Sequence, residues 1–250
     1  MKKLNKIFIA VLAVILLSGS LYAYKRVQAK IHRESIEREN QKTLEQIKLI
    51  QEQSAKENKE TLEQVEKQVV TKEAYLEVPF ICQAPLETEA NWTLHEESCE
   101  EAALLQAYLF LKGKTMTKAE ANTEILRMID WQKDNFGGHH DIYADKVKEM
   151  AVKFYDIDPA KIRVIKNATI DDIKREISSG HPVIVPITGE ILKNPYYPYP
   201  GYHMLLVTGY TEDKIITNDN GTRRGKDFSY NIDVFEKAML DAGAEIVILD

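Results

Sequence analysis

Ser98-Cys99-Glu100-Glu101-Ala102-Ala103-Leu104-Leu105 is the stretch on which the reading of this chain turns. Ser98 and Glu101 have the Ser-x-x-Glu spacing of a reciprocal N-terminal capping box, which predicts Ser98 as N-cap and Cys99 as the first helical residue. Unpaired backbone N–H groups and the positive end of the helix dipole favour negative charge there, so a thiol at that position loses its proton more easily. The residues that follow, through about Lys112, are apolar on nearly every face, as in a buried helix. A sulfur at the tip of a buried helix is placed as a nucleophile would be. A small apolar residue that merely begins a core helix fits the same pattern.

Outward from that helix the sequence predicts helices first and strands mostly afterwards, an α+β pattern. Val78-Pro79-Phe80-Ile81 reads as a short extended segment before the loop Cys82-Gln83-Ala84-Pro85. Thr117-x-x-Glu120 is a second capping box, opening a helix to about Lys133, and Gly137-Gly138 breaks the chain. Asp141 is placed to cap a helix from Ile142 to Tyr155, and Thr169 one ending at Gly180. Strands are predicted at Arg163–Ile165, Pro182–Ile187, His203–Tyr210, Lys214–Asn218 and Glu245–Leu249, with a helix at Ile232–Asp241.

Composition divides the chain. All eight prolines lie at or after Pro79, ten of eleven glycines at or after Gly113, and residues 25–74 contain no Gly, Pro, Cys or aromatic ring. The globular part is therefore residues 75–250, long enough for one well-buried core. Residues 1–24 combine a short lysine-rich start, an apolar run from Ile7 and small residues, the pattern of an export signal. The run to Tyr24 is just long enough to span a bilayer as a single anchor, whereas Leu21-x-Ala23 is a passable cleavage site that would release a secreted protein. Either way the C-terminal part is expected outside the cytoplasm. Residues 25–74, rich in Glu, Lys and Gln, read as a polar helical stalk on the order of 70 Å long. Leu62, Val65 and Val69 keep a 3–4 spacing, but sustained heptads are absent, so coiled-coil self-association through the stalk is a weak expectation. With a net charge of −6 and no basic patch interleaved with aromatics, nucleic acid is not an expected partner.

A thiol nucleophile needs a base, a group to orient that base, and donors for the oxyanion. Of six histidines, His32 falls in the stalk, and His95, His139, His140 and His181 sit in turns or at helix ends, where exposed histidine is ordinary. His203 stands at the mouth of the apolar strand Met204-Leu205-Leu206-Val207, and a hairpin could bring Asp219, at the end of the next strand, beside it. An alternative is that His203 merely begins a strand and Asp219 a turn. The loop Asn194–Tyr202 is stiffened by proline and offers tyrosine faces for binding. Its alternative is a packed cover over the core. His139-His140-Asp141 lacks ligand spacing for a metal, and neither metal nor cofactor is expected.

Val78-Pro-Phe-Ile-Cys-Gln83, Trp92 shortly before Glu97–Ala102, Gly201–Tyr210 and Ile215–Asp219, in that order and spacing, resemble the C39-like cysteine peptidases of papain-like fold. The resemblance implies peptide-bond hydrolysis of a peptide or protein substrate through an acyl-enzyme. Cys99 would be nucleophile, His203 base and later acid, Asp219 the orienting residue, and Gln83 an oxyanion donor with the Cys99 N–H. Trp92, Tyr197, Tyr199 and Tyr202 are the expected substrate-binding residues. Many members carry Gly-Pro where this chain has Glu100-Glu101, and two carboxylates beside the sulfur oppose thiolate formation. Cell-wall amidase or endopeptidase chemistry, or a binding module without activity, are the alternatives on the same fold. Two cysteines in an exported chain also raise a Cys82–Cys99 disulfide, against a reading of Cys82 as a small buried residue beside Gln83.

Overall fold

The computed structural model describes residues 71–250 apart from Glu87 and residues 198–200, together with Arg38, Gln41, Lys48 and Leu49. The expected anchor at 1–24 and nearly all of the stalk at 25–74 lie outside the described residues. No helix among the described residues is long and apolar enough to cross a membrane.

Three strands explain the layering. Along β4 (Tyr202–Tyr210), Met204 and Leu206 face one hydrophobic cluster while Leu205 and Val207 face another. The same alternation splits Ile184 from Val183 and Val185 on β3 (Val183–Thr188), and Val247 from Ile246 and Ile248 on β7 (Ile246–Leu249). Successive side chains on a strand point to opposite faces, so strands that are apolar throughout must be covered on both sides. One cover is α2 (Cys99–Lys112), α3 (Lys118–Phe136) and α4 (Ala144–Tyr155), preceded by the short α1 (Glu89–Leu94). The other is α5 (Ile170–Ser178) and α7 (Ile232–Asp241), with the one-turn α6 (Gly189–Leu192) after β3.

The sheet runs β2 (Ile162–Ile165), β7, β3, β4, β5 (Lys214–Asn218), β6 (Phe228–Asn231), with every neighbouring pair antiparallel. β1 (Ala74–Tyr75) adds to β4 beyond the end of β3, Tyr75 lying opposite Gly209. Gly209 is required there: a Cβ would come within 2.7 Å of the Ala74 carbonyl oxygen. The Thr71 hydroxyl also bonds the Tyr210 hydroxyl at 3.1 Å, so ordered packing begins a few residues ahead of Tyr75.

Helix α2 is buried along its length, with Leu104, Leu105 and Leu109 at zero exposure. Burying each leucine contributes about 2 kcal/mol. The helix ends on Gly113, in the left-handed conformation at φ 60°. The capping boxes at Thr117–Glu120 and Thr169–Asp172 both form, each from an extended N-cap.

Two local readings are corrected. Ser98 is the N-cap of α2 but makes no side-chain cap bond, because its ψ of 25° is not the extended geometry that aims the hydroxyl at the helix. α4 begins at Ala144 with Tyr143 as N-cap, and Asp141 does not cap it. Strands β1 and β6 and helices α1 and α6 are additional to the sequence reading.

Candidate active site

Cys99 and His203 open onto one cavity of about 560 Å³, between the N-terminus of α2 and the start of β4. α2 packs on β4, so the helix tip bearing Cys99 and the strand mouth bearing His203 line the same cavity. Gln83, Trp92, Tyr197 and Tyr202 line the same cavity, and Tyr199 lies outside the described residues. Asp219 is fully buried behind His203.

The antiparallel β4–β5 pair puts Asp219, the residue after β5, next to His203: the imidazole Nε2 and Asp219 Oδ1 are 3.1 Å apart. Every oxygen of that carboxylate is engaged. Oδ1 also accepts the Gly221 N–H at 3.1 Å. Oδ2 accepts the Tyr197 hydroxyl at 2.6 Å, the Asn194 amide at 3.1 Å and the Tyr230 hydroxyl. Burial alone would raise the Asp219 pKa, but the bonds and charge of His203 and the tyrosine hydroxyls outweigh it and hold the group below the ordinary range. Tyr197 stands edge-on to the imidazole, ring centres 5.2 Å apart. A Cβ on Gly221 would come within 2.9 Å of the His203 Cε1.

The nucleophile's side is different. The Cys99 thiol donates to Glu100 Oε2 at 3.1 Å, while Glu100 Oε1 accepts the Ile142 N–H at 2.8 Å. Glu101 leaves Ser98 for Gln132, whose amide donates to Oε1 at 3.0 Å, with His139 Nε2 at 3.7 Å. Both glutamates are fully buried. Burial, then repulsion from Glu100 and Asp141, pushes the Cys99 thiol well above its ordinary pKa, with only the Met204 backbone opposing. Burial, then Glu101 and Asp141, pushes Glu100 up as well. Burial is also the main cause that takes Glu101 up to about 8. Asp141 rises to about 6 through burial and through the charge and hydrogen bond of Glu97, with His203 pulling it down.

Gln83 reaches the cavity, but its amide donates to the His95 and Glu96 carbonyls, each at 2.9 Å. Its backbone N–H bonds the Asn220 carbonyl at 2.9 Å, and the Asn220 side chain donates to the Cys99 carbonyl at 2.9 Å. Asn220 therefore ties the Gln83 loop to the tip of α2. The Tyr202 hydroxyl bonds the Ile142 carbonyl at 3.2 Å. His95, expected to be exposed, is fully buried between Ser98 Oγ at 3.3 Å and Asn122 Oδ1 at 2.9 Å. No disulfide joins Cys82 and Cys99, and both are buried.

Ligand atoms of Cys99, Glu100 and Asp141 come within 4.8 Å of one another, so a cation could be held there. Glu100, however, already commits both oxygens to protein donors. Glu176, His181 and Asp250 form a similar group, in which Arg163 pairs with both carboxylates at 2.7 Å and supplies the cation. Asn194, Tyr230, Asn220, Glu97 and Asp141 were not singled out from sequence as site residues. The Asn218–Gly221 run could have pointed to Asn220, but nothing local signals that Tyr230, on a strand the sequence did not reveal, reaches Asp219.

No curated protein matches the chain. Among solved structures it is similar to a Bacillus anthracis protein described as a candidate C39-like peptidase. That likeness has a TM-score of 0.50 at 16% identity, covering 72% of this chain and 98% of the other, and it shows the shared fold. The family model described as "Peptidase_C39 like family" matches residues 75–244, essentially the whole globular unit, and the chain belongs to that family.

Proposed function

We propose that this protein is a papain-like cysteine peptidase acting through Cys99, His203 and Asp219. The observation that carries the proposal is a single cavity onto which thiol and imidazole both open, with His203 Nε2 held by a fully engaged Asp219. With Nε2 committed, Nδ1 is the nitrogen that takes the thiol proton. The sulfur then attacks the peptide carbonyl, and its pair of electrons pushes the C=O electrons onto oxygen. The Cys99 N–H, at the first helical position and without an intrahelical partner, faces that charge. Gln83 joins it only if one of its carbonyl bonds is released on substrate binding. Collapse expels the amine, which receives the proton from His203. Water, deprotonated by the same imidazole, cleaves the thioester.

Residues 1–24 as an uncleaved anchor and 25–74 as a stalk would hold this domain outside the cytoplasm, with peptides or proteins as substrates. Hydrolysis of unstructured peptides by the full chain should vanish in Cys99→Ala and drop about 10²–10⁴-fold in His203→Ala. Turnover that survives Cys99→Ala would overturn the assignment. The thiol bonded to Glu100 and raised in pKa favours a second reading, a peptide-binding domain without activity. That reading predicts alkylation of Cys99 no faster than a free thiol and no turnover of any peptide.

A further inference from the structure

Beside the cavity runs a second, more open groove of about 440 Å³, lined by Trp92, Tyr196, Tyr197, Thr222, Arg223 and Arg224. The two share Trp92 and Tyr197 and therefore adjoin. Their charges are opposite. The cavity is lined by Glu89, Glu96, Glu97 and Asp141 and by no Lys or Arg, whereas Arg223 and Arg224 line the groove. In the groove each guanidinium lies over an aromatic ring. Arg224 Cζ is 4.8 Å from the Tyr196 centroid, and Arg223 Cζ is 5.8 Å from that of Trp92. The closer approach, Arg224 over Tyr196, holds that guanidinium against the ring while its edge N–H groups remain suited to a carboxylate. Among the described residues no carboxylate pairs with Arg224.

The groove also has a position in the reaction. Gly221 and Tyr197 sit against the His203 ring, and Thr222, Arg223 and Arg224 follow directly in the chain. The amine that leaves must receive its proton from His203, so the leaving segment lies on this side. The acyl segment stays on sulfur, beside Asp141 and Glu100. We propose that the groove is the subsite for the leaving segment and selects an acidic side chain there, held by Arg224 beside Arg223. An acidic residue on the acyl side would instead meet Asp141 beside the sulfur, so the preference has a direction along the substrate. This inference rests on the peptidase reading for its left–right assignment only.

The test uses the full chain carrying Cys99→Ala, so that peptides bind without turnover. Fluorescent decapeptide pools with amidated C-termini carry a fixed Glu-Glu, Gln-Gln or Lys-Lys pair, and binding is read by anisotropy. The acidic pool should bind about fivefold more tightly than the neutral one. Arg223→Gln/Arg224→Gln should erase the difference, and Arg223→Glu/Arg224→Glu should invert it, both with unchanged thermal unfolding. Equal binding, preference for lysine, no binding of any pool, or a preference that persists in the double variants each overturns the proposal. So does an acidic preference seen only when the C-terminus is left free, since the groove would then hold the terminal carboxylate. Turnover of the same pools by the unsubstituted chain separates the two proposals. Cleavage without charge preference, at fixed pairs on either side of the cut, sinks the subsite alone, and acidic binding without cleavage sinks the peptidase alone.

Discussion

The two halves of the candidate site treat charge in opposite ways. Around Asp219, five donors meet two carboxylate oxygens, and the group stays ionised although fully buried. Around Cys99 the neighbours are Glu100, Glu101 and Asp141, and burial and mutual repulsion drive protons onto the cluster. One half is already arranged for an imidazolium. The other resists a thiolate even though the sulfur stands at a helix N-terminus, where the dipole contributes about 1 kcal/mol at most sites. Desolvation of a buried thiol can shift its pKa by several units, so burial, together with the carboxylate neighbours, outweighs the helix end. The difference teaches that, in the proposed reaction, sulfur activation would have to come from His203, or from a substrate that displaces the Glu100 contact.

The contrast breaks first at Asp219. Replacing it by Asn puts an NH2 group against donors in either orientation, facing Gly221 N–H on one side or the two tyrosine hydroxyls on the other. Asp219→Asn should lose about 3 kcal/mol of stability in urea unfolding. An unchanged midpoint would mean that the donor cage contributes nothing. Next comes Glu100→Gln, which keeps an acceptor for Ile142 N–H and turns an uncharged amide donor towards sulfur in place of the carboxyl oxygen. Its iodoacetamide rate profile should move to lower pH by about one unit, roughly tenfold faster at neutrality. A profile that stays in place would remove Glu100 as the brake on the thiol.

A third effect concerns Glu101. Its folded pKa of about 8 exceeds the unfolded 4.5, so the folded state holds the extra proton between these values. Stability from this group is fully present below about 4.5 and is lost as pH rises towards 8. Thermal unfolding temperature should therefore fall across that window, and Glu101→Gln should flatten the decline. A decline of equal slope in the variant would assign it to other groups.

Sequence legibility follows how local each cause is. Helix α2 ends where it was expected to, because continuous apolar residues, Lys112 and Gly113 act within the element. Thr117 and Thr169 cap as expected for the same reason, their partners being three residues away. The His203–Asp219 contact was within reach because a single short turn, Thr211–Asp213, sets the β4–β5 pairing. Ser98 misled because Gln132 and His139, more than thirty residues on, hold Glu101. Asp141 is drawn to Glu97 and the cavity rather than to α4, again by contacts made across the fold. β1, with two residues, is too short to show a period, and what makes it a strand is the missing side chain of Gly209.

Gly221 has a consequence for how the proton travels. With no room for even a methyl group above its Cε1 and with Tyr197 at its side, the imidazole is held in place rather than free to swing. In the proposed reaction, proton delivery to the departing amine would then come through motion of the substrate past a stationary ring.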